Sequence, residues 1–149
     1  MTPELRQSLE QAAALAADAA DPWWIIGSAA VMLHGGDVGR VKDIDLMMSS
    51  RDAENFLRRA GVEPKRGKAS DRFRSAVFGT WSQLPVPVEV FGGFELATDG
   101  GWRPVVLTSR QAISVGHSSV FVPSADELAR LLRKFGRPKD FERARLLQS

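Results

Sequence analysis

The chain contains no cysteine, which excludes disulfides and thiolate metal sites and fits a cytoplasmic location. No apolar run approaches the roughly 20 residues of a membrane-spanning helix, and no signal peptide opens the sequence. A membrane partner is therefore not expected. The glycine patterns of dinucleotide-binding and Walker-type phosphate loops are absent, and there is no internal repeat. Neither sign of charge dominates, the formal net charge being +2. What remains is ordinary: 149 residues, 44% hydrophobic and 26% charged, the profile of a soluble globular chain. That length suits a single domain over residues 1–149 with a sizeable core.

The charge is unevenly spread. Residues 1–50 carry three Lys/Arg against seven Asp/Glu, and residues 76–100 carry none against three. Residues 51–75 carry eight against four, and residues 101–149 nine against four. Acidic stretches flanked by basic ones suit a polyanionic substrate, although scattered Lys and Arg also decorate any soluble surface.

The stretch Trp23–Ser50 concentrates the chemistry. It reads as a strand, a tight turn at Gly27-Ser28, a short helix to His34, a glycine-rich loop, and a second strand over Asp43–Met48. Side chains alternate along a strand, so Asp43 and Asp45 share a face while Ile44 and Leu46 take the other. Two ionised carboxylates on one face of a buried strand repel and lose hydration. A divalent cation between them relieves both problems, and carboxylate oxygens suit Mg²⁺ or Mn²⁺. A strand end whose acidic residues face water is the alternative. Upstream, Gly27 permits a sharp turn, and Ser28 can cap the helix and present its first N–H groups to a phosphate. Arg40 and Lys42, just before the carboxylates, can neutralise triphosphate charge or simply face solvent.

An apolar strand, Gly-Ser, a short helix and then Asp-x-Asp on the next strand resemble the nucleotidyltransferase superfamily that includes DNA polymerase beta. The chain looks most like its small prokaryotic members of the abortive-infection, toxin type. The resemblance implies an α/β (α+β) fold, a small mixed β-sheet flanked by helices. It implies transfer of a nucleoside monophosphate from a nucleoside triphosphate to an acceptor hydroxyl, on RNA or protein, and an antitoxin partner. The alternatives are a catalytically degenerate binding module of the same fold, or transfer to a small molecule such as an antibiotic. A third catalytic carboxylate is also implied, on a later strand. Pro85–Phe91 supplies a candidate, because Glu89 is the lone carboxylate in an apolar run. Its role would be base or metal ligand, against an edge-strand glutamate facing water.

The rest of the chain is scaffold. Thr2 before Pro3 predicts the start of an alanine-rich helix running to Ala20. Helices are also predicted from Ser50 to Ala60, closed by Gly61, from Ala125 to Phe135 behind Ser124, and from Phe141 to Leu147. Glu63–Asp71 reads as a basic loop, Arg72–Thr80 as a half-buried strand, and 94–104 as a variable polar stretch. Val105–Leu107, Ala112–Val115 and Val120–Val122 read as short strand segments. Gly136–Asp140, GRPKD, resembles the segment that closes related nucleotidyltransferases.

Overall fold

In the computed structural model, which describes residues 1–147, the chain runs α1 (Pro3–Ala16), β1 (Trp24–Ile26), α2 (Gly27–Leu33), β2 (Ile44–Met48), α3 (Ser50–Arg59), β3 (Lys65–Ala69), β4 (Phe73–Trp81), β5 (Val88–Thr98), β6 (Gly101–Pro104), β7 (Gln111–Val115), β8 (Ser118–Val122), α4 (Ala125–Phe135) and α5 (Pro138–Leu146). Six strands form one mixed sheet in the order β1-β2-β5-β4-β3, with β6 also paired to β5. β7 and β8 form a separate hairpin. β2 and β5 run parallel and the other pairs antiparallel. β4 pairs with β5 from Val88 to Leu96, so β2 and β6 share the other edge of β5, β2 beside its first half and β6 beside its second.

Val88 and Val90 of β5 and Ile44 and Leu46 of β2 are fully buried. They form the face covered by α3, whose Phe56 and Leu57 are buried against the sheet. Arg58 and Arg59 are exposed, as a helix with one apolar face requires. The alternate positions, Asp45 and Glu89, turn to the opposite face and are only partly covered. The sheet thus has a dry side that carries the core and a second side that carries the carboxylates. Among the described residues no helix is long and apolar enough to cross a membrane.

Local signals explain several elements. Thr2 caps α1, its hydroxyl accepting from the Leu5 N–H at 3.2 Å. Ser124 caps α4 through the Glu127 N–H, and Gly136 closes it in the left-handed conformation at φ 74. Leu128, Leu131, Leu132 and Phe135 are its buried face.

Several expectations need correction. α1 stops at Ala16, four residues short of the expected Ala20. Ser28 does not cap α2: the N-cap position is Ile26, with no side-chain cap, because Gly27 is already the first helical residue. The basic segment 63–71 is not all loop; Lys65–Ala69 pairs with β4 as an edge strand with every residue exposed. β5 does not end at Gly92-Gly93 but runs on to Thr98 and turns back into β6. Residues 105–107 form no strand, and α5 begins at Pro138, earlier than Phe141, because proline suits the first helical position.

Candidate active site

Three strands bring the carboxylates together. In register, Ile26 of β1 lies opposite Asp45 of β2, and Asp45 lies opposite Glu89 of β5. Directly paired residues of neighbouring strands show their side chains on the same face, about 4.8 Å apart. Asp43 immediately precedes β2 and, two residues before Asp45, returns to that face. Directly after Ile26 the chain leaves the sheet through Gly27 at φ +68, a conformation that favours glycine. A Cβ at Gly27 would run into the Asp45 carboxylate. The turn is therefore glycine because Asp45 sits against it.

The carboxylates line a cavity of about 570 Å³. Ser28, Arg40 and Lys42 border it, and so do Asp43, Asp45 and Glu89. Three more cations complete the rim: Arg137 and Lys139 of the GRPKD segment, and Arg143 of α5, which the sequence did not single out. An apolar wall of Phe73, Phe91, Phe94 and Phe135 was equally unforeseen. Phe91 and Phe94 are three residues apart, and strict alternation would put them on opposite faces. Gly93, at φ +63, interrupts the alternation and lets both reach the cavity. The GRPKD segment was the one sequence signal for the cationic rim. The phenylalanines carried none, because aromatic residues at strand spacing read as core.

The electrostatics follow from this crowding. Burial pushes the Asp45 carboxyl up to about 8, the charges of Asp43 and Glu89 push the same way, and Arg143 and Arg137 oppose. Burial and then Asp43 also raise Glu89, against the opposing charges of Lys68 and Lys139. Arg137 is held in place by Asp140: its Nε donates to Oδ2 at 2.6 Å and its Nη2 to Oδ1 at 3.0 Å. His34 is not poised for chemistry; its Nε2 donates to the Pro123 carbonyl at 2.8 Å, tying α2 to the start of α4.

The donor chemistry suits a hard cation. Among the described residues no group of three His, Asp or Glu side chains is arranged to hold a metal ion. Mg²⁺ needs fewer, since it takes one or two carboxylates and completes its shell with phosphate and water oxygens. Asp43 and Asp45 meet that requirement. Their mutual repulsion, felt in the raised Asp45 carboxyl, is what a bound cation relieves.

No family model matches the sequence, and no curated protein matches it. Solved structures do. A protein from Thermotoga maritima, described provisionally as a nucleotidyltransferase, superposes with a TM-score of 0.79 at 20% identity, over 97% of this chain and 92% of that one. The antibiotic-resistance factor ANT(2'')-Ia in solution gives a TM-score of 0.62 at 14% identity, over 99% of this chain and 84% of that one. Its crystal structure with adenylyl-2''-tobramycin gives 0.58 at 16% identity, over 96% of this chain and 87% of that one. At such identities the likeness is one of fold: this chain has the fold of these proteins.

Proposed function

We propose that the chain is a nucleotidyltransferase that uses Mg²⁺ or Mn²⁺ to move a nucleoside monophosphate from a nucleoside triphosphate to an acceptor hydroxyl. The observation that carries this reading is the grouping of Asp43, Asp45 and Glu89 with five cations around one cavity. A cavity for a neutral ligand needs neither. A triphosphate with its cation needs both, the carboxylates for the metal and the cations for the phosphate oxygens. Supporting it, the chain shares the fold of a neighbour whose structure contains an adenylylated acceptor.

Asp43 and Asp45 hold the cation. When bound, it neutralises phosphate charge and polarises the α-phosphate toward attack. Ser28 and the backbone after Gly27 take a phosphate oxygen. Arg40, Lys42, Arg137, Lys139 and Arg143 bind the remaining phosphates and offset the charge that develops on the leaving pyrophosphate. Glu89, its carboxyl raised by burial and then by Asp43, is suited to accept the proton of the attacking hydroxyl. The acceptor oxygen forms a bond to the α-phosphorus, and the bond from that phosphorus to the oxygen bridging to the β-phosphorus breaks.

The test is label transfer. Purified protein is incubated with each α-labelled nucleoside triphosphate, Mg²⁺, and total cell RNA, total cell protein or a hydroxylated small molecule. Transfer by the wild type that Asp45→Asn abolishes is the expected result. No transfer from any nucleotide to any acceptor would leave a binding module of this fold.

A further inference from the structure

Arg72 does not line the carboxylate cavity, yet its side chain reaches the element that carries part of the cationic rim. Its Nη1 donates to the Phe135 carbonyl at 2.7 Å, across 63 residues of sequence. Phe135 ends α4, so this carbonyl is one of the last-turn acceptors that lack a partner within the helix. A guanidinium placed there also meets the negative end of the helix dipole. A Cβ on Gly136 would stand 3.1 Å from the same Nη1, so the guanidinium rests against the backbone of the α4–α5 junction. Among the described residues Arg72 makes no ion pair.

The backbone under Arg72 is fixed. Ser70 and Phe73 close the β3–β4 turn, the Ser70 N–H donating to the Phe73 carbonyl at 2.7 Å. The Ala97 N–H of β5 donates to the Arg72 carbonyl at 2.8 Å. The next residue, Phe73, grips the same junction from the cavity side. Its ring meets Phe135 edge to face at 5.0 Å between centroids. The Arg137 guanidinium lies over that ring, 5.1 Å from its centroid. Arg137 uses Nε and Nη2 on Asp140, which leaves its Nη1 for the cavity.

We propose that Arg72 is a positioning residue for the phosphate rim: by holding the last carbonyl of α4 it fixes where Arg137 stands, and it touches no ligand itself. The inference rests on the nucleotidyltransferase reading, which makes the ligand of that rim a triphosphate. A guanidinium binds phosphate oxygens as a fixed fork, and such a group must be held to within roughly half an ångström. Asp140 ties Arg137 to α5, but not to the strands that carry the carboxylates. Arg72 supplies that second tie, because it stands at the start of β4, whose Thr80 pairs with Glu89. Between the two ties lies Gly136, at φ 74, the residue of the junction with the freest backbone. Without Arg72 the end of α4 loses its tie to the sheet, and Arg137 moves with it.

Magnesium tripolyphosphate is the probe, because it carries the phosphates without base or sugar and its binding does not depend on turnover. It is titrated into the full chain by calorimetry. Arg137→Ala should weaken binding by about tenfold, the scale of one charge-assisted hydrogen bond. Arg72→Ala should weaken it by a similar factor. In Arg72→Ala/Arg137→Ala the second loss should vanish, because Arg72 acts through Arg137. In Arg72→Ala/Lys42→Ala the two losses should multiply, because Lys42 stands on the loop before β2 and not on the junction. Arg72→Lys, which keeps a donor of similar reach, should restore most of the affinity. Arg72→Met, which keeps the aliphatic stem, replaces Arg72→Ala if that variant does not fold. Wild-type affinity in Arg72→Ala, or losses that multiply in Arg72→Ala/Arg137→Ala, overturn the positioning role and leave the nucleotidyltransferase reading standing. A wild type that binds no magnesium tripolyphosphate overturns both. The expected coupling without label transfer from any nucleoside triphosphate keeps the positioning role and removes the transfer reading.

Discussion

Asp45 is the residue on which the site turns, and its environment makes a sharp statement about pH. Burial pushes its carboxyl up to about 8 in the fold, from an ordinary value of 3.8. A carboxyl raised on folding stabilises the fold while protonated, and that stabilisation is lost as pH rises through the folded value. Between about pH 4 and pH 8 the metal-free protein should therefore lose stability, with Glu89 acting in the same direction. Glu127, whose carboxyl is lowered, and Asp21, lowered to about 2 beside Arg51, have the opposite sign and act only at acidic pH. Thermal melts of the metal-free protein from pH 5 to pH 9 isolate the carboxylate cluster. The wild-type melting temperature should fall across that range, and Asp45→Asn should flatten the curve and melt higher at pH 9. A wild-type curve as flat as the variant's would mean that Asp45 is solvated and needs no cation. Gly27 belongs to the same argument. Gly27→Ala combines φ +68 with a Cβ driven into Asp45, and should cost about 1–3 kcal/mol in denaturant melts. In Gly27→Ala/Asp45→Gly, where the collision is removed, part of that cost should return.

Elements with a strong local pattern were legible, and those specified by their partners were not. α4 appeared in the sequence with its true bounds because Ser124, four apolar positions and Gly136 all agree. The Asp-x-Asp strand was visible because carboxylates inside an apolar run are costly and so need a reason. β3 was missed because Lys65–Ala69 has no apolar alternation; it is a strand only through its ladder to β4. The second half of β5 was missed because Gly92-Gly93 reads as a break. Gly92 is there for space: a Cβ on it would lie 2.6 Å from the Ala53 Cβ, where α3 crosses the sheet. The same division runs through the site. Asp43, Asp45, Ser28, Arg40 and Lys42 lie within one short stretch, whereas Arg137, Lys139 and Arg143 reach the cavity only through tertiary folding. The element that delivers them can be tested at its start. Asp140 is fully buried, receives two side-chain bonds from Arg137, and accepts from the Arg137 backbone N–H at 3.1 Å. Asp140→Ala removes this cap and should cost about 1–3 kcal/mol in chemical denaturation. It also frees Arg137 from its place on the rim, so nucleoside triphosphate affinity should fall at temperatures where the variant is fully folded. An unchanged affinity would show that Arg137 does not touch the nucleotide.

At the scale of the whole molecule the two faces of the sheet do different work, and the difference separates an enzyme from a relic. The face under α3 is apolar and buried. The other face gathers carboxylates whose charge the chain itself leaves incompletely neutralised, as the raised Asp45 carboxyl records. A cation and a nucleotide that bind only the native state must therefore stabilise the entire fold by mass action. At a hundred times the dissociation constant the gain is about 2.7 kcal/mol, or roughly 5–10 °C for a chain of this length. The melting temperature should rise with Mg²⁺ or Mn²⁺ together with nucleoside triphosphate. The rise should grow from pH 6 to pH 8, because below about 8 the cation must displace the Asp45 proton. Asp43→Asn and Asp45→Asn should remove the metal-dependent part. A degenerate module would show the same thermal response in the wild type with no label leaving the α-phosphate. An active enzyme would show both, and both would disappear together in Asp45→Asn. A wild-type melting temperature that moves with neither metal nor nucleotide would reduce the resemblance to one of fold, because a fold by itself does not carry a function.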